Sequence, residues 1–138
     1  MNILIQQADA SELDAVLNVY PLAKAHAEKA VVSAIGRGEC FAASVDGEIQ
    51  AFALTSLSFF GFRFIDLLAV AEKRRRRGIG GAMLGYLYGI CETPKLFTST
   101  NQSNLPMQKL LDKSGFTRCG MVDALDENDP ELFYVKRK

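Results

Sequence analysis

The residues best suited to chemistry lie in one basic, glycine-rich segment. It reads Arg75-Arg76-Arg77-Gly78-Ile79-Gly80-Gly81, after an apolar run at residues 65–70 and before an amphipathic pattern. The first turn of a helix leaves N–H groups unpaired and carries partial positive charge, so it binds phosphate well. Glycines let a bulky anion approach the backbone, and arginines add charge where it would arrive. The segment therefore predicts a site for a pyrophosphate.

Several motifs could account for this segment. A dinucleotide-binding loop needs G-x-G-x-x-G directly after a strand, and a P-loop needs G-x-x-x-x-G-K-[ST]; neither is present. The pattern R-x-x-G-x-G is matched by Arg75, Gly78 and Gly80. A solvated charge run or a nucleic-acid patch at residues 73–77 is the alternative. The 16 basic and 16 acidic side chains give zero net charge, so bulk attraction to nucleic acid or membrane is not indicated.

Candidates for moving a proton are fewer. Asp66 lies four residues before Val70, so strand alternation predicts both side chains on one face of the sheet. It could be a general base or a hydrogen-bonded structural carboxylate. His26 has a useful reference pKa, near 6.5, but lies in an alanine-rich helical segment. Other polar residues that could line a cleft are Tyr20, Ser99, Asn101 and Ser103.

The number and spacing of the cysteines and the single histidine limit the metal sites that the sequence could form. Cys40, Cys91 and Cys119 are widely spaced and lack CxxC spacing, which predicts free thiols and no metal site. The N-terminus lacks a signal-peptide pattern, and no apolar run is long enough to cross a bilayer. We therefore expect a cytoplasmic protein that does not associate with membranes.

The elements that must position these residues follow from periodicity and turn signals. The order β-α-α-β-β-β-α-β-α-β-β is predicted, with a helix over residues 22–35 and a hairpin turning at Asp46-Gly47. Ser11 and Asp14 resemble a capping box for the first helix. Apolar residues at 49% and charged residues at 23% suit a globular protein. The sequence predicts one mixed α/β domain over residues 1–138.

With this order and the R-x-x-G-x-G motif, the chain resembles the GNAT acetyltransferase family, whose motif is [QR]-x-x-G-x-[GA]. Residues 98–101, Asn104 and residues 109–116, which end in Gly115-Phe116, look like the family's next strand and helix. The resemblance implies a twisted, mixed and mostly antiparallel sheet flanked by helices. It also implies an acetyl-CoA site in which the backbone of Leu68, Ala69 and Val70 and the side chain of Asn104 meet the pantetheine arm. The N–H groups from Arg76 to Gly81, with the arginine side chains, would hold the pyrophosphate.

The resemblance also implies an activity. A primary amine of a small molecule or peptide would attack the thioester directly, through a tetrahedral intermediate stabilised by an N–H group near Val70. The family often uses a tyrosine acid where this chain has Leu111, so a catalytically weak or inactive acyl-CoA-binding module is the alternative. The acidic loop at residues 123–129 would border the acceptor site. Either a monomer or a homodimer is compatible with the sequence.

Overall fold

The computed structural model describes residues 1–20 and 27–138. Its centre is one seven-stranded sheet. The strands are β1 (Ile3–Gln7), β2 (Cys40–Val45), β3 (Glu48–Phe59), β4 (Phe62–Val70), β5 (Lys95–Asn101), β6 (Thr117–Val122) and β7 (Glu131–Arg137). They lie in the order β1-β2-β3-β4-β5-β7-β6. Among the neighbouring strands of the described residues, only β4 and β5 are parallel.

Four α-helices lie in the described part of the chain. They are α1 (Leu13–Val19), α2 (Glu28–Arg37), α3 (Ile79–Ile90) and α4 (Leu105–Lys113), with short 3-10 turns at Ala10–Glu12 and Glu72–Arg74. The predicted order of elements is confirmed. Residues 22–26 of the predicted second helix lie outside the described residues, and the described helix ends at Arg37, where Gly38 takes a left-handed φ of 74°. Within the described residues, no helix is long and apolar enough to cross a membrane.

The predicted capping box of Ser11 and Asp14 does not form on the first helix: the N-cap of α1 is Glu12, which makes no side-chain cap hydrogen bond. A capping box instead begins the 3-10 turn that precedes α1, where Asp9 is the N-cap and its carboxylate accepts a 2.9 Å hydrogen bond from the N–H of Ser11. Glu12 completes the capping box by accepting from the N–H of Asp9 at 3.0 Å. The glutamate has the longer side chain and can reach back one turn, so the pair Asp9–Glu12 forms in preference to Ser11–Asp14.

Helices cover the sheet on both sides, and each side has its own core. On one side, here called the α3 face, α3 and α4 bury Ala51, Ile65, Leu96 and Leu132. On the other, the α1 face, α1 and α2 pack on β2 and β3 and bury Phe52 and Leu54. Because side chains alternate along a strand, these cores assign each strand residue to a face.

An ion-pair network ties β4 to its surroundings near its first residues. Arg63 is 15% exposed and makes two hydrogen bonds to Glu92, at 3.0 and 2.6 Å, as well as an ion pair with Glu39. Hydrogen bonds from Arg63 lower the pKa of Glu92. Burial opposes the same effect at Glu39, but hydrogen bonds from Arg37 and Arg63 outweigh it and lower the pKa of that carboxyl. The network therefore fixes the first residues of β4, which are the ones that pair with β5.

Candidate active site

The strands β4 and β5 separate in the middle of the sheet. They pair only from Arg63 to Ile65 and from Leu96 to Thr98, although β4 continues to Val70. At the last pair, the Thr98 hydroxyl donates to the carbonyl of Ile65 at 3.0 Å. Beyond this hydrogen bond, the two strands leave a gap, and no strand formed by residues 1–20 or 27–138 lies in it.

The backbone groups that face this gap follow from the pairing of β4 with β3. The N–H of Ala71 donates to the carbonyl of Gln50 at 2.8 Å, so position 71 directs its backbone groups toward β3. Alternation then directs those of Ala69 toward β3 and those of Leu68 and Val70 toward the gap. The Arg75 Nε–H donates to the carbonyl of Val70 at 3.2 Å, which agrees with this assignment. Of the three residues expected to meet the pantetheine arm, Leu68 and Val70 therefore present backbone groups to the gap.

The basic segment forms the turn that leads into α3. Gly78 is the N-cap, with φ of 83°, and the first helical hydrogen bond runs from the N–H of Ala82 to its carbonyl at 3.0 Å. The N–H groups of Ile79, Gly80 and Gly81 precede this bond, so the helix offers them no carbonyl partner. The side chains of Arg75, Arg76 and Arg77 are exposed around this turn. The predicted anion cradle is thus a helix start with adjacent positive charge.

The glycines of the cradle differ in what their missing side chains allow. A Cβ at Gly80 would lie 2.8 Å from Leu110 Cδ2, whereas one at Gly81 would lie 3.9 Å from Leu110 Cδ1. A Cβ at Gly78 would meet nothing within 4 Å, but its φ of 83° disfavours other residues. Gly80 therefore lets α3 approach α4 closely, a packing requirement in addition to the phosphate access expected from sequence.

Asp66 occupies an irregular position on β4. Leu54 pairs with Leu67 and Thr55 with Ile65, so Asp66 is the extra residue of a β-bulge. Its side chain interacts with the hydroxyl of Ser56, which places it on the α1 face, whereas Val70 packs in the α3-face core. The prediction that both side chains share one face is therefore wrong, because the bulge interrupts the alternation.

The environment of Asp66 suits a proton acceptor. The residue is exposed to solvent by surface area, yet the surrounding protein still desolvates its carboxylate. This desolvation raises its pKa and outweighs the opposite effects of the Ser56 hydrogen bond and of two nearby arginines. The carboxylate lies next to the last paired residue of β4, at the start of the gap.

The polar residues near the end of β5 are held by the acidic loop. The side chain of Asn101 donates to Asp126 at 2.8 Å, and the hydroxyl of Ser103 donates to Asp129 at 2.6 Å. Ser99 donates to Glu131 at 2.6 Å. Two of the loop's four acids thus fasten it to the residues at the end of β5, through hydrogen bonds that leave the carboxylates charged.

The remaining candidates divide into structural and peripheral residues. Asn104 is the N-cap of α4, and its side-chain oxygen Oδ1 accepts a hydrogen bond from the N–H of Met107 at 3.2 Å. Leu111 is fully buried in the α3-face core. Tyr20 lines a cavity with Ala71 and Arg75, while His26 lies outside the described residues. Among the described residues, no group of three or more His, Cys, Asp or Glu side chains could hold a metal ion.

Sequence reasoning missed an aromatic cluster beside Asp66. Phe59, Phe64, Phe97 and Phe133 come from four strands, and Phe59 contacts the other three with ring centroids 4.9 to 5.6 Å apart. A partial signal was present, since Phe62 and Phe64 alternate along one strand. The cluster itself depends on a sheet order that alternation does not give.

Comparisons with known proteins agree with this geometry. The family model for the acetyltransferase (GNAT) family matches residues 10–116. A GNAT-family acetyltransferase from Bacillus cereus ATCC 10987 has 30% identity and a TM-score of 0.92, over 100% of this chain and 99% of that chain. The ribosomal-protein-S18-alanine N-acetyltransferase from Escherichia coli has 21% identity and a TM-score of 0.78, over 99% and 94%. An acetyltransferase from Bacillus anthracis strain Ames, solved with acetyl coenzyme A, has 14% identity and a TM-score of 0.81, over 100% and 99%. No curated protein sequence matches the chain.

Two diverging central strands beside a glycine-started helix, together with these matches, define an acetyl-CoA-dependent N-acetyltransferase. The chain belongs to the GNAT acetyltransferase family. The predicted resemblance, the predicted mixed α/β fold and the predicted cosubstrate, acetyl-CoA, are thereby confirmed.

Proposed function

We propose that this chain, as a single domain, transfers an acetyl group from acetyl-CoA to a primary amine of a small molecule or peptide by direct attack. The observation that carries the proposal is the gap between β4 and β5, into which Leu68 and Val70 direct backbone groups. A Cβ on Gly80 would lie 3.9 Å from Val70 Cγ2, so the start of α3 lies beside the end of β4 on the α3 face. Because α3 covers that face, a thioester held in the gap would be reachable from the α1 face.

Acetyl-CoA fits the residues that surround the gap. The first-turn N–H groups of α3 and the exposed Arg75, Arg76 and Arg77 offer donors and positive charge to a pyrophosphate. Leu68 offers an N–H and a carbonyl to an extended amide-containing arm, and Val70, whose carbonyl already accepts from Arg75, offers its N–H. The side-chain oxygen of Asn104 accepts the helix-cap hydrogen bond, so its NH₂ group is the part that can donate to the pantetheine arm.

The transfer step forms one bond and breaks one. The amine nitrogen bonds to the acetyl carbon, the carbon–sulfur bond breaks, and coenzyme A leaves as a thiolate that takes up a proton. Asp66 or a water molecule accepts the proton that the amine loses, and a raised pKa suits Asp66 for that role. The N–H of Val70 or Leu68 would stabilise the oxyanion.

A second candidate function rests on Leu111. Its side chain is buried and cannot donate a proton, so the thiolate must leave without help from this helix. A thiol with a reference pKa near 8.5 is a tolerable leaving group, and positioning alone can supply much of the rate. A chain that binds acetyl-CoA but releases no coenzyme A with any amine would be the weak or inactive module.

Two measurements test the proposal. Calorimetry should detect acetyl-CoA binding, and thiol release from acetyl-CoA should depend on an added amine. Binding without amine-dependent release would favour the inactive module, and the absence of binding would refute both functions.

The variant Asp66→Asn separates a catalytic from a structural carboxylate. A carboxyl whose folded pKa is raised contributes stability at low pH that is lost as the pH rises above its unfolded value. At pH 7 the asparagine variant should therefore be at least as stable in urea denaturation as the parent. If Asp66 is the base, the variant's kcat/KM should nevertheless fall about tenfold or more. A loss of stability with unchanged kcat/KM would identify Asp66 as structural.

A further inference from the structure

An apolar surface lies on the α1 face beside the gap. Leu96, Leu132 and Tyr134 are buried on the α3 face, so the intervening Phe97 and Phe133 project from the α1 face. Together with Phe59, Phe62 and Phe64 they form what we call the phenylalanine surface. Their rings are in mutual contact, with Phe59 stacked on Phe133 at 5.6 Å and an interplanar angle of 18°.

The surface is only partly covered. Its five rings are half-buried, whereas the phenylalanines of the two cores, Phe52 and Phe116, are at most 4% exposed. The helices on this face pack on β2 and β3, and in the sheet order β4 separates these two strands from β5 and β7. The surface thus gathers five of the chain's nine phenylalanines, while Phe60 lies outside it in the β3–β4 turn, with an edge contact to Phe59. A grouping of this size exposed beside a reaction site marks a binding surface.

Polar groups continue this surface toward the gap. On β4, Phe64 is followed on the same face by Asp66, and on β5, Phe97 is followed by Ser99. One step along a strand face is about 7 Å, which a phenyl ring, a two- or three-carbon chain and an amine can span from the ring centre to a carboxylate that the amine contacts. A ring resting on Phe64 and Phe97 would thus place its amine near Asp66 and the gap.

We propose that the acceptor is a small primary amine carrying an aromatic group a few carbons from the nitrogen, with the ring on the phenylalanine surface. This proposal rests on the acetyl-transfer function above, and its chemical step is the same exchange of a carbon–sulfur bond for a carbon–nitrogen bond. The surface supplies aromatic contacts to the ring, and Asp66 supplies a carboxylate beside the amine.

The arrangement of the nearby carboxylates, rather than their charge, distinguishes a polyamine from an amine with one cation. A polyamine needs several carboxylates that can turn toward it in a row, whereas three of those nearby are already oriented by hydrogen bonds to neutral side chains. Two of the acids in the adjoining loop, Asp126 and Asp129, are bonded to Asn101 and Ser103, and Glu131 is bonded to Ser99. The remaining contact area is aromatic, which favours one cation joined to an apolar group.

The experiment compares acceptors that differ only in the ring. We would measure kcat/KM for 2-phenylethylamine, ethylamine, a polyamine and a short peptide with an N-terminal phenylalanine, at saturating acetyl-CoA. The phenyl ring should raise kcat/KM about tenfold or more over ethylamine. The variant Phe97→Ala should reduce that ratio about tenfold, and Phe97→Leu should reduce it less.

The matched control is Phe60→Ala. Phe60 is 86% exposed at the turn and only packs its edge on Phe59, so the ratio should stay unchanged. Calorimetry with acetyl-CoA reports whether each variant is folded and keeps its cosubstrate site. Equal rates with and without the ring, or a preference for the polyamine or the peptide, would overturn this inference while leaving acetyl transfer intact. Failure of every amine despite acetyl-CoA binding would refute the proposed function as well.

Discussion

The close contact of Gly80 with Leu110 predicts opposite effects for two neighbouring glycine substitutions. An alanine methyl at Gly80 would meet Leu110 Cδ2 at 2.8 Å, well inside van der Waals contact, and would also lie 3.9 Å from Val70 Cγ2. The same methyl at Gly81 would meet Leu110 Cδ1 at an ordinary 3.9 Å. Both changes gain the same helix propensity, so their difference isolates the packing between α3 and α4.

The magnitudes follow from two opposing effects. Replacing glycine by alanine inside a helix stabilises by up to about 1 kcal/mol. Overpacking a core typically costs about 1 to 3 kcal/mol, and here the end of the Leu110 side chain must move. Gly80→Ala should therefore destabilise the protein by about 1 kcal/mol, and Gly81→Ala should be neutral or slightly stabilising.

Urea denaturation of both variants measures this difference. Adding Leu110→Ala provides a double-mutant cycle, because Gly80→Ala should become harmless once the leucine methyls are gone. Calorimetry with acetyl-CoA then asks whether the cradle is displaced. If Gly80→Ala is as stable as Gly81→Ala, or if its cost persists without Leu110, the packing argument is refuted.

Two further predictions concern charge. Arg75→Ala should weaken acetyl-CoA binding about tenfold or more in calorimetry, because a charge-assisted donor beside the pyrophosphate is lost, whereas Arg118→Ala on β6 should leave the affinity unchanged. Equal effects of both would point to general charge rather than a cradle. Arg63→Met should lower the free energy of unfolding at pH 7 by about 1 to 3 kcal/mol. The pKa values of its two partner carboxyls, Glu39 and Glu92, are lowered in the folded protein. The extra stability of the parent over the variant should therefore persist above the unfolded pKa near 4.5 and vanish as the pH falls through the folded pKa values. A stability difference that does not change with pH would contradict this.

The helix start proposed for the cosubstrate could be predicted from sequence because its residues are consecutive in the chain. A helix start that binds phosphate requires small residues and positive charge within a few consecutive positions, and the segment from Arg75 to Gly81 contains both. The turn forms as expected, with Gly78 as the N-cap. What the spacing could not give is the contact of Gly80 with Leu110, because that depends on where a separate helix packs.

The acceptor half was not predictable for the same physical reason. The side-chain direction of Asp66 is set by a β-bulge against β3, and a single extra residue in a strand pair leaves no local pattern. The phenylalanine surface is assembled from strands that are distant in sequence, since β7 inserts between β5 and β6. Alternation places Phe62 and Phe64 on one face, but only the sheet order brings Phe97 and Phe133 beside them.

The two halves also differ in the groups they use for recognition, and this has a consequence for how such a chain can change. In the proposed site, the cosubstrate would be met mainly by backbone groups at the gap and at the start of α3, whose positions depend on the fold rather than on particular side chains. The acceptor would be met on the α1 face by side chains such as Asp66 and Phe97, which are absent from both buried cores. Substitutions on that face would then change the amine without disturbing the thioester. For this reason the proposed cradle points to the reaction, while the exposed side chains of the α1 face would determine the substrate.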